Sequence, residues 1–217
     1  MSDFARERRR MVEAQLAGRG ISDPRVLEAM GAVPREAFVS PELAAEAYAD
    51  GPLPIGEGQT ISQPYVVALM IEALELRGGE RVLEIGAGSG YAAAVAAQIA
   101  GEVFTVERRR SLADAARRRL AELGCGNVQV LQGDGSRGWP ERAPFDAVMV
   151  AAGAPAIPGV LQEQLAVGGR LVIPVGRGRT FQELLRLTRL SETEYRREKL
   201  GDVRFVPLVG EHAWKRG

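Results

Sequence analysis

Short apolar runs alternate with amphipathic stretches through the middle of the chain. The apolar runs predict five strands, at residues 81–85, 103–106, 128–131, 145–150 and 170–175. The stretches between them predict helices at residues 89–100, 111–123 and 156–165, and a short connection at 135–142. Strands separated by helices require right-handed crossovers and a parallel sheet that is covered on both faces. The pattern therefore predicts a doubly wound, mostly parallel α/β sheet.

The regions on either side of this core follow different patterns. Residues 3–16 predict a charged helix, and a second short helix starts at Asp23 and Pro24, which suit the cap and the first helical position, and runs through Met30. We interpret residues 1–50 as a helical cap. More polar runs at 183–190 and 195–206 predict antiparallel strands at one edge, within a region of strands and tail at 180–217. Residues 1–217 then form a single domain around a core at 81–175.

Residues 50–63 contain too many glycines and prolines for regular structure and too many apolar residues for a solvated linker. We predict an ordered loop over residues 51–64, of the kind that carries function on a rigid scaffold. Ser62 lies at the end of this loop, directly before an amphipathic helix that reaches about residue 76. A serine in this position can be the N-cap, whose oxygen accepts a free backbone N–H. On periodicity alone, this structural role is the favoured interpretation of Ser62.

Composition narrows the classes of function. The 217 residues, of which 46% are hydrophobic and 26% charged, suit one globular domain. Lys and Arg total 28, as do Asp and Glu, so no overall field favours nucleic acid or an acidic membrane as a partner. No apolar run approaches the length of a membrane span and the N-terminal residues contain no hydrophobic signal core, so we expect a cytoplasmic protein.

The chain has a single cysteine, Cys125, and a single histidine, His212. One cysteine excludes an internal disulfide and a multi-cysteine metal cluster. One histidine disfavours zinc binding, thiol catalysis and a Ser-His-Asp triad, because each of these needs a histidine at the reacting group. We therefore expect chemistry that uses neither a metal nor a histidine base.

The predicted strand at 81–85 breaks into alternating glycines, Gly86, Gly88 and Gly90, before a helix begins. Glycine lets the backbone approach a ligand closely, and the free N–H groups at the helix start point to the same place. The spacing lacks the extra residue of the dinucleotide fingerprint. Taken alone, the turn fits a nucleotide-like cofactor and a plain tight strand-to-helix turn equally well.

Acidic residues lie at the ends of successive predicted strands, where doubly wound sheets bind ligands. Glu84 lies just inside the glycine turn, where its field favours the ammonium of an amino-acid tail. Glu107 can accept from both hydroxyls of a ribose, or pair with a neighbouring arginine. Asp134 can accept a hydrogen bond from an adenine amino group, or belong to an ordinary Asp-Gly turn. Together with the glycine spacing, these acids favour S-adenosylmethionine over NAD.

Two sets of motifs resemble known families. Residues 82–90, Glu107 and Gly133-Asp134-Gly135 resemble the binding motifs of S-adenosylmethionine-dependent methyltransferases with a Rossmann-like fold. The second set resembles the protein-L-isoaspartate O-methyltransferase family and consists of residues 52–64, Gly138-Trp139-Pro140-Glu141, Ala143-Pro144-Phe145-Asp146 and Phe205-Val206-Pro207-Leu208-Val209. Gly20-Ile21-Ser22-Asp23 and Val33-Pro34-Arg35-Glu36 agree as well, so the resemblance extends over nearly the whole chain.

The resemblance implies transfer of a methyl group from S-adenosylmethionine, leaving S-adenosylhomocysteine, to the free α-carboxylate of L-isoaspartyl residues in damaged proteins and peptides. It implies that Ser62 is the active-site serine. It assigns the cofactor site to Glu84, Gly86, Gly88, Gly90, Glu107, Asp134 and Gly135, and the substrate site to Ile55, Ser62, Val206 and Leu208. Isoaspartyl proteins and peptides would be its partners, with no nucleic acid, membrane or metal, and we expect a monomer.

Three alternatives remain open at this point. A methyltransferase that acts on a small molecule or RNA would share the cofactor half of the sequence and use the loop differently. An NAD-dependent oxidoreductase would bind a dinucleotide at the same turn. A binding module without activity would keep cofactor affinity and lose turnover.

Overall fold

The computed structural model describes residues 3–176 and 181–215. Its strands are β1 (Leu53–Gly56), β2 (Gln59–Ile61), β3 (Arg81–Ile85), β4 (Glu102–Glu107), β5 (Val128–Gln132), β6 (Phe145–Val150), β7 (Leu165–Val175), β8 (Gln182–Arg189) and β9 (Tyr195–Val203). Its α-helices are α1 (Asp3–Arg10), α2 (Pro24–Ala32), α3 (Pro64–Ala73), α4 (Tyr91–Ala97), α5 (Arg110–Glu122) and α6 (Gly159–Glu163). A π-helical segment, Met11–Leu16, continues α1, and short 3-10 turns occupy Ala17–Arg19, Arg35–Phe38, Pro41–Glu46, Gly135–Arg137 and Pro140–Arg142.

Seven of the strands form one sheet in the order β5-β4-β3-β6-β7-β8-β9. The first five are parallel, and β8 and β9 extend the sheet as antiparallel strands. This confirms the predicted doubly wound, mostly parallel sheet with antiparallel strands at one edge. The strand order reverses between β3 and β6, where Ile85 lies opposite Val150. In sheets of this kind the ligand crevice opens at this point, beyond the carboxyl ends of the strands.

The sheet is buried on both faces, as its near-continuous apolar strands require. Along β3, Val82 belongs to a core that includes the N-terminal cap, α3 and α4. Leu83 and Ile85 belong to a second core on the other side, which includes Leu161 of α6. Full burial of such a side chain contributes about 1.5–3 kcal/mol. The end of β3, from which the glycine turn starts, is therefore anchored from two sides.

The cap is joined to the core at the start of α2. Asp23 accepts a hydrogen bond from the N–H of Arg25 at 2.8 Å, and Pro24 occupies the first helical position, so the predicted role of Asp23 as the N-cap of α2 is confirmed. A carboxylate oxygen of Glu72 on α3 accepts from the N–H groups of Ser22 and Asp23, both at 2.7 Å. The cap is thereby fixed to α3, the helix that follows the predicted loop.

The segment before α3 contains regular structure. β1 and β2 pair as an antiparallel hairpin with Leu53 opposite Ile61, and residues 56–58 form its turn with positive φ throughout. Glycine adopts such angles without strain, and Pro54 is tolerated because the two-stranded hairpin leaves strand edges free. The prediction of a loop without regular structure was wrong, because these glycines and prolines form the turn and the edge of a hairpin.

Some helix and strand boundaries differ from the predicted ones for physical reasons. Pro158 occupies the N-cap of α6, so the helix predicted at 156–165 begins only at Gly159. β7 begins before the predicted residue 170, because Leu165 pairs with Phe145. β9 ends at Val203, where its pairing with β8 ends, and not at residue 206. Residues 1–2, at the start of the predicted cap, and residues 180 and 216–217, at the ends of the predicted C-terminal region, lie outside the described residues.

Three observations on the described ranges concern membrane, metal and thiol chemistry. Within residues 3–176 and 181–215, none of the helices has the length and apolar character that a bilayer crossing requires. The same residues contain no group of three or more His, Cys, Asp or Glu side chains placed to hold a metal ion. Cys125 is a free, half-buried thiol, and burial raises the pKa of that thiol, which disfavours a thiolate nucleophile.

Candidate active site

The glycine turn lies where the strand order reverses. Gly86, Gly88 and Gly90 adopt left-handed backbone conformations, with φ of 95°, 53° and 90°. The N–H of Gly86 donates to the carbonyl oxygen of Val106 at 2.8 Å, which holds the turn against the end of β4. A Cβ at Gly86 would lie 3.7 Å from the Cβ of Ala151, just after β6. The glycines thus keep a narrow space open between the ends of β3, β4 and β6.

Glu107 ends β4 with its carboxylate turned toward the glycine turn. One oxygen accepts from the N–H of Gly88 at 3.0 Å and the other from the N–H of Arg109 at 2.8 Å. The side chain is buried and lines a cavity of about 130 Å³ together with Gly86. The alternative of an ion pair between Glu107 and a neighbouring arginine is not formed in the described chain, and the Arg109 guanidinium instead contacts Glu57 at 3.1 Å. Glu107 therefore presents its carboxylate to the cavity.

Glu84 is buried beside the same turn, with 1% of its surface exposed. One carboxylate oxygen accepts a hydrogen bond from the Thr105 hydroxyl, and the other has no partner among the described residues. Burial raises the pKa of Glu84 to about 8; the Thr105 hydrogen bond opposes this rise, and the Glu107 carboxylate adds to it. Glu84 lines a cavity of about 40 Å³ with Ser62 and Gly86. An unpartnered buried oxygen is a position where a cationic group would be stabilised.

The Asp134 carboxylate already binds the segment that follows β9. It accepts from the N–H of Glu211 at 2.8 Å, and from the hydroxyl and the N–H of Ser136 at 2.8 and 3.0 Å. Burial alone would raise the pKa of Asp134, but these hydrogen bonds outweigh it and lower the pKa. Gly135 lines the cavity of about 130 Å³, and a Cβ there would meet the Ile85 side chain at 2.5 Å. The backbone of Gly135 therefore faces this cavity, whereas the Asp134 carboxylate is engaged elsewhere.

Ser62 lies between the hairpin and α3. Gln63 occupies the N-cap of α3 and Pro64 its first position, so the interpretation of Ser62 as the N-cap was wrong. The Ser62 carbonyl oxygen accepts from a guanidinium nitrogen of Arg35 at 2.8 Å. The residue lines both the cavity that contains Glu84 and a larger cleft of about 410 Å³. Ser62 therefore stands in a wall shared by two spaces.

The cleft of about 410 Å³ lies next to both smaller cavities. Thr60 and Ala151 line all three spaces, so these spaces share a common wall. Phe181, with 67% of its surface exposed, borders the larger cleft, and the Arg204 guanidinium lies 4.6 Å from the centre of its ring. The arrangement offers two reactants adjoining spaces of different size and lining.

Comparison with known proteins identifies the family. A family model described as Protein-L-isoaspartate(D-aspartate) O-methyltransferase (PCMT) matches residues 6–213. The chain belongs to this family. It is 64% identical over 213 residues to protein-L-isoaspartate O-methyltransferase 1 of Rhodopseudomonas palustris (strain HaA2), a match that covers 98% of this chain and 87% of the relative. It is 62% identical over 212 residues to protein-L-isoaspartate O-methyltransferase 2 of Marinobacter nauticus, covering 98% and 97%. The resemblance that the motifs indicated is confirmed.

Solved structures of protein-L-isoaspartate O-methyltransferases share the fold. One such structure has a TM-score of 0.83 with 31% identity, covering 94% of this chain and 67% of that chain. A Plasmodium falciparum structure described as a protein-L-isoaspartate O-methyltransferase has a TM-score of 0.79 with 28% identity, covering 93% and 98%. That protein is in complex with S-adenosyl-L-homocysteine.

The residues predicted from the methyltransferase motifs fall on different walls. The two smaller cavities are lined by Glu84, Gly86, Gly88, Glu107 and Gly135. Gly90 packs behind the turn, where a Cβ would meet side chains of α5 at 3.4 Å. Val206 lines the larger cleft and the cavity of about 130 Å³, and Leu208 lines only that cavity. The structure therefore brings the predicted residues together around adjoining spaces, and their contacts with ligands remain predictions.

The hairpin covers the glycine turn. A Cβ at Gly88 would lie 3.3 Å from the Cδ1 of Ile55, so this predicted substrate residue lies over the glycine turn and outside the lining of the larger cleft. At the hairpin tip, the Glu57 carboxylate accepts from the Arg109 guanidinium at 3.1 Å and the Ser111 hydroxyl at 2.8 Å. Gln59 and Thr60 of the same hairpin line the cavity of about 130 Å³, so the hairpin forms one of its walls.

Four residues at the site were missed by the sequence analysis: Thr60, Arg35, Phe181 and Arg204. Thr60 stands two residues before Ser62, so strand periodicity was a signal that both line one space. Phe181 and Arg204 meet because β8 and β9 pair, and Arg35 reaches Ser62 only through the packing of the cap. For Phe181 and Arg204 the sequence contains no local signal, and Arg35 appears only within the family motif Val33-Pro34-Arg35-Glu36, which does not indicate its contact with Ser62.

Proposed function

We propose that this chain transfers the methyl group of S-adenosylmethionine to the free α-carboxylate of L-isoaspartyl residues in damaged proteins and peptides. The observation that carries this proposal is the position of Ser62, which lines both the cleft of about 410 Å³ and the cavity beside Glu84. The smaller cavities are lined by the glycine turn, Glu84 and Glu107, which suit the cofactor, and the larger cleft beside them suits the peptide. A side chain in the wall between them can contact the acceptor next to the donor. The names of the relatives agree with this reaction.

The cavity residues fit S-adenosylmethionine chemically. The unpartnered oxygen of Glu84 suits the ammonium of the amino-acid tail, and the Glu107 carboxylate suits the ribose hydroxyls. The backbone of Gly135 would lie against the adenine. The Asp134 carboxylate already accepts hydrogen bonds from Ser136 and Glu211, so a hydrogen bond from the adenine amino group would need a lone pair that these contacts do not use. When bound, the cofactor supplies an electrophilic methyl group on a sulfonium.

The acceptor needs no base from the protein. A carboxyl group with a solution pKa of about 4 is ionised at neutral pH, which agrees with a cleft whose lining contains no histidine among the described residues. The Ser62 hydroxyl has no hydrogen-bond partner within the described chain, so it is available to donate to one carboxylate oxygen and leave the other free to attack. Orientation of this kind removes about 7–11 kcal/mol of barrier in favourable cases. Desolvation of the acceptor must stay partial, because full burial would raise the pKa of the carboxylate and weaken the nucleophile.

The reaction is tested with two peptides that differ only in an isoaspartyl or an aspartyl residue, incubated with labelled S-adenosylmethionine. The proposal predicts base-labile label on the isoaspartyl peptide alone. Label on both peptides, or transfer only to RNA or a small molecule, would contradict the substrate. No transfer with intact S-adenosylhomocysteine binding would identify a module without activity, and binding of NAD in place of S-adenosylhomocysteine would favour an oxidoreductase.

The role of Ser62 has a separate test. Ser62→Ala should lower kcat by about 10- to 100-fold, because a hydrogen bond to a charged group contributes about 1.5–3 kcal/mol. The Kd for S-adenosylhomocysteine should stay unchanged. Ser22→Ala is the matched control, since it removes a hydroxyl on the cap, away from the clefts, that lies 3.4 Å from Glu72. Unchanged turnover of the Ser62→Ala protein would refute the proposed role of the hydroxyl.

We further propose that the chain acts in the cytoplasm as a monomer on isoaspartyl proteins and peptides, without nucleic acid or membrane. The equal totals of 28 basic and 28 acidic residues support the absence of nucleic acid and membrane as partners. Light scattering after size exclusion should give a mass near 23.3 kDa. A mass twice as large would contradict the monomer, and retention on anionic vesicles or RNA at physiological salt would contradict the absence of those partners.

A further inference from the structure

Arg35 connects the cap to the proposed active site. It lies in the 3-10 turn Arg35–Phe38 and is fully buried, with 0% of its surface exposed. Its Nε donates to the carbonyl oxygen of Ala47 at 2.7 Å, and its Nη2 donates to the carbonyl oxygen of Ser62 at 2.8 Å. One guanidinium group therefore bridges the cap and the residue that lines both spaces.

The same guanidinium also contacts the helix that follows the glycine turn. The Arg35 Cζ lies 4.8 Å from the centre of the Tyr91 ring, and Tyr91 is the first residue of α4, directly after Gly90. Tyr91 itself lines the small cavity together with Ser62 and Glu84. Because the guanidinium is planar and its donors are fixed in a fork, it sets the distance between the groups that it contacts. Arg35 thus relates the position of Ser62 to that of the cofactor turn.

A fully buried arginine is energetically unfavourable in a position that has only a structural role. No carboxylate in the described part of the chain forms an ion pair with it, and its Nη1 has no hydrogen-bond partner there. A buried charge without a counter-charge is destabilising, and well-packed apolar groups often replace such charges without loss of stability. Burial lowers the pKa of the Arg35 guanidinium, yet a guanidinium stays protonated in proteins. An apolar replacement would therefore lose the geometry of the guanidinium group rather than a contribution to stability.

We propose that Arg35 is a positioning residue for methyl transfer, which holds the Ser62 backbone in fixed relation to the cofactor turn. This inference rests on the proposed role of Ser62. Arg35 lines none of the three spaces and acts through the Ser62 carbonyl. Displacement of a positioning group by 1 Å can lower a rate by about 10²-fold. The expected consequence of altering Arg35 is therefore a loss of kcat at retained substrate and cofactor affinity.

Two variants of Arg35 and one control make this measurable. Arg35→Met removes the charge and both donated hydrogen bonds, and should lower kcat by about 100-fold. Arg35→Lys keeps the charge, but a single ammonium cannot reproduce the fork, so kcat should fall by about 10-fold. Arg19→Met is the matched control. Arg19 also joins the cap to this region, through Asp50 at 2.9 Å and the Tyr65 ring at 3.9 Å, but it makes no contact with Ser62.

The readouts separate positioning from folding. For the Arg35 variants, KM for the isoaspartyl peptide and Kd for S-adenosylhomocysteine should stay within about twofold, the range expected of changes outside a binding site. The control should keep kcat within about twofold. If Arg35→Lys lowers the melting temperature and loses cofactor affinity while kcat of the bound enzyme is unchanged, the residue is structural and the proposal is overturned.

A double-mutant cycle with Ser62→Ala decides whether Arg35 acts through Ser62. If it does, Arg35→Lys should change kcat by less than about twofold in the Ser62→Ala background, because the hydroxyl that it positions is gone. Additive effects in the cycle would overturn the Arg35 proposal and leave the role of Ser62 standing. Unchanged turnover of the Ser62→Ala protein would overturn both. Methylation of the isoaspartyl peptide by the unaltered chain tests the reaction itself independently of either residue.

Discussion

Cofactor binding should expel a proton from Glu84. Its pKa is raised to about 8 by burial and by the Glu107 carboxylate, against the Thr105 hydrogen bond. At pH 7 a carboxyl group with that pKa is protonated in about 0.9 of the molecules. An ammonium placed at the unpartnered Glu84 oxygen favours the ionised form. Binding of S-adenosylhomocysteine at pH 7 should therefore release up to about 0.9 proton, and up to about 0.5 proton at pH 8.

Calorimetry in buffers of different ionisation enthalpy measures this release directly. The Kd should tighten by up to about tenfold per pH unit between pH 6 and 7.5, since the proton competes with the ligand. Glu84→Gln has the same shape and no proton to lose, so both effects should vanish. Thr105→Val removes the hydrogen bond that favours the ionised carboxylate, so it should increase the release at pH 8. Equal release from the unaltered protein and the Glu84→Gln variant would refute the reasoning.

Three further predictions concern the turn and the hairpin. Gly88→Ala should weaken S-adenosylhomocysteine binding by about tenfold, because a residue with a φ of 53° is strained and the new Cβ would lie in tight contact, 3.3 Å from the Cδ1 of Ile55. Gly58→Ala is the control: its φ of 67° gives the same strain, but there is open space around it, so this variant should bind S-adenosylhomocysteine normally. Glu57→Gln removes the ion pair with Arg109, and a partly exposed ion pair contributes about 0.2–1 kcal/mol. If the hairpin controls entry to the cavity, the association and dissociation rates of S-adenosylhomocysteine should rise by about two- to fivefold in stopped-flow measurements. Unchanged rates would mean that the hairpin does not control entry. Without cofactor, the pKa of Glu84 is 4.5 in the unfolded chain and about 8 in the folded protein. Between these two pH values the folded protein is protonated at Glu84 and the unfolded chain is not, so the free energy of unfolding falls as pH increases, by up to about 1.4 kcal/mol per pH unit. Urea titrations of the Glu84→Gln variant should show a flatter dependence of this free energy on pH.

The sheet was predictable because its strands are apolar runs of the right length between amphipathic helices. Such runs specify burial on both faces, and burial specifies the parallel sheet and the end at which ligands bind. The glycine turn and the acids Glu84, Glu107 and Asp134 were found in the same way, since each lies at or next to the carboxyl end of a strand. The N-cap was misplaced by one residue although the sequence held the answer, because Pro64 in the first helical position makes Gln63 the cap.

The parts that could not be predicted depend on contacts between distant residues. Asp134 is bound by the N–H of Glu211, 77 residues further along the chain, and no local pattern indicates that partner. In the sequence, Arg35 is one charged residue in a short polar turn. Only the packing of the cap shows that it is buried against Ser62 and Tyr91. The sequence therefore reveals which residues stand at the strand ends, but not which of their polar groups are already used by the protein.

The wall formed by the segment after β9 has a consequence for heat inactivation. The N–H of Leu208 donates to the Gly153 carbonyl oxygen at 2.8 Å and the N–H of Gly153 donates to Val206 at 2.8 Å, and beyond them Glu211 is bound by Asp134. Local opening has a lower free energy than global unfolding where a segment outside the central strands is held by a small number of backbone hydrogen bonds. Turnover should therefore be lost on warming before the sheet melts, which activity and far-ultraviolet circular dichroism followed on one temperature ramp would show.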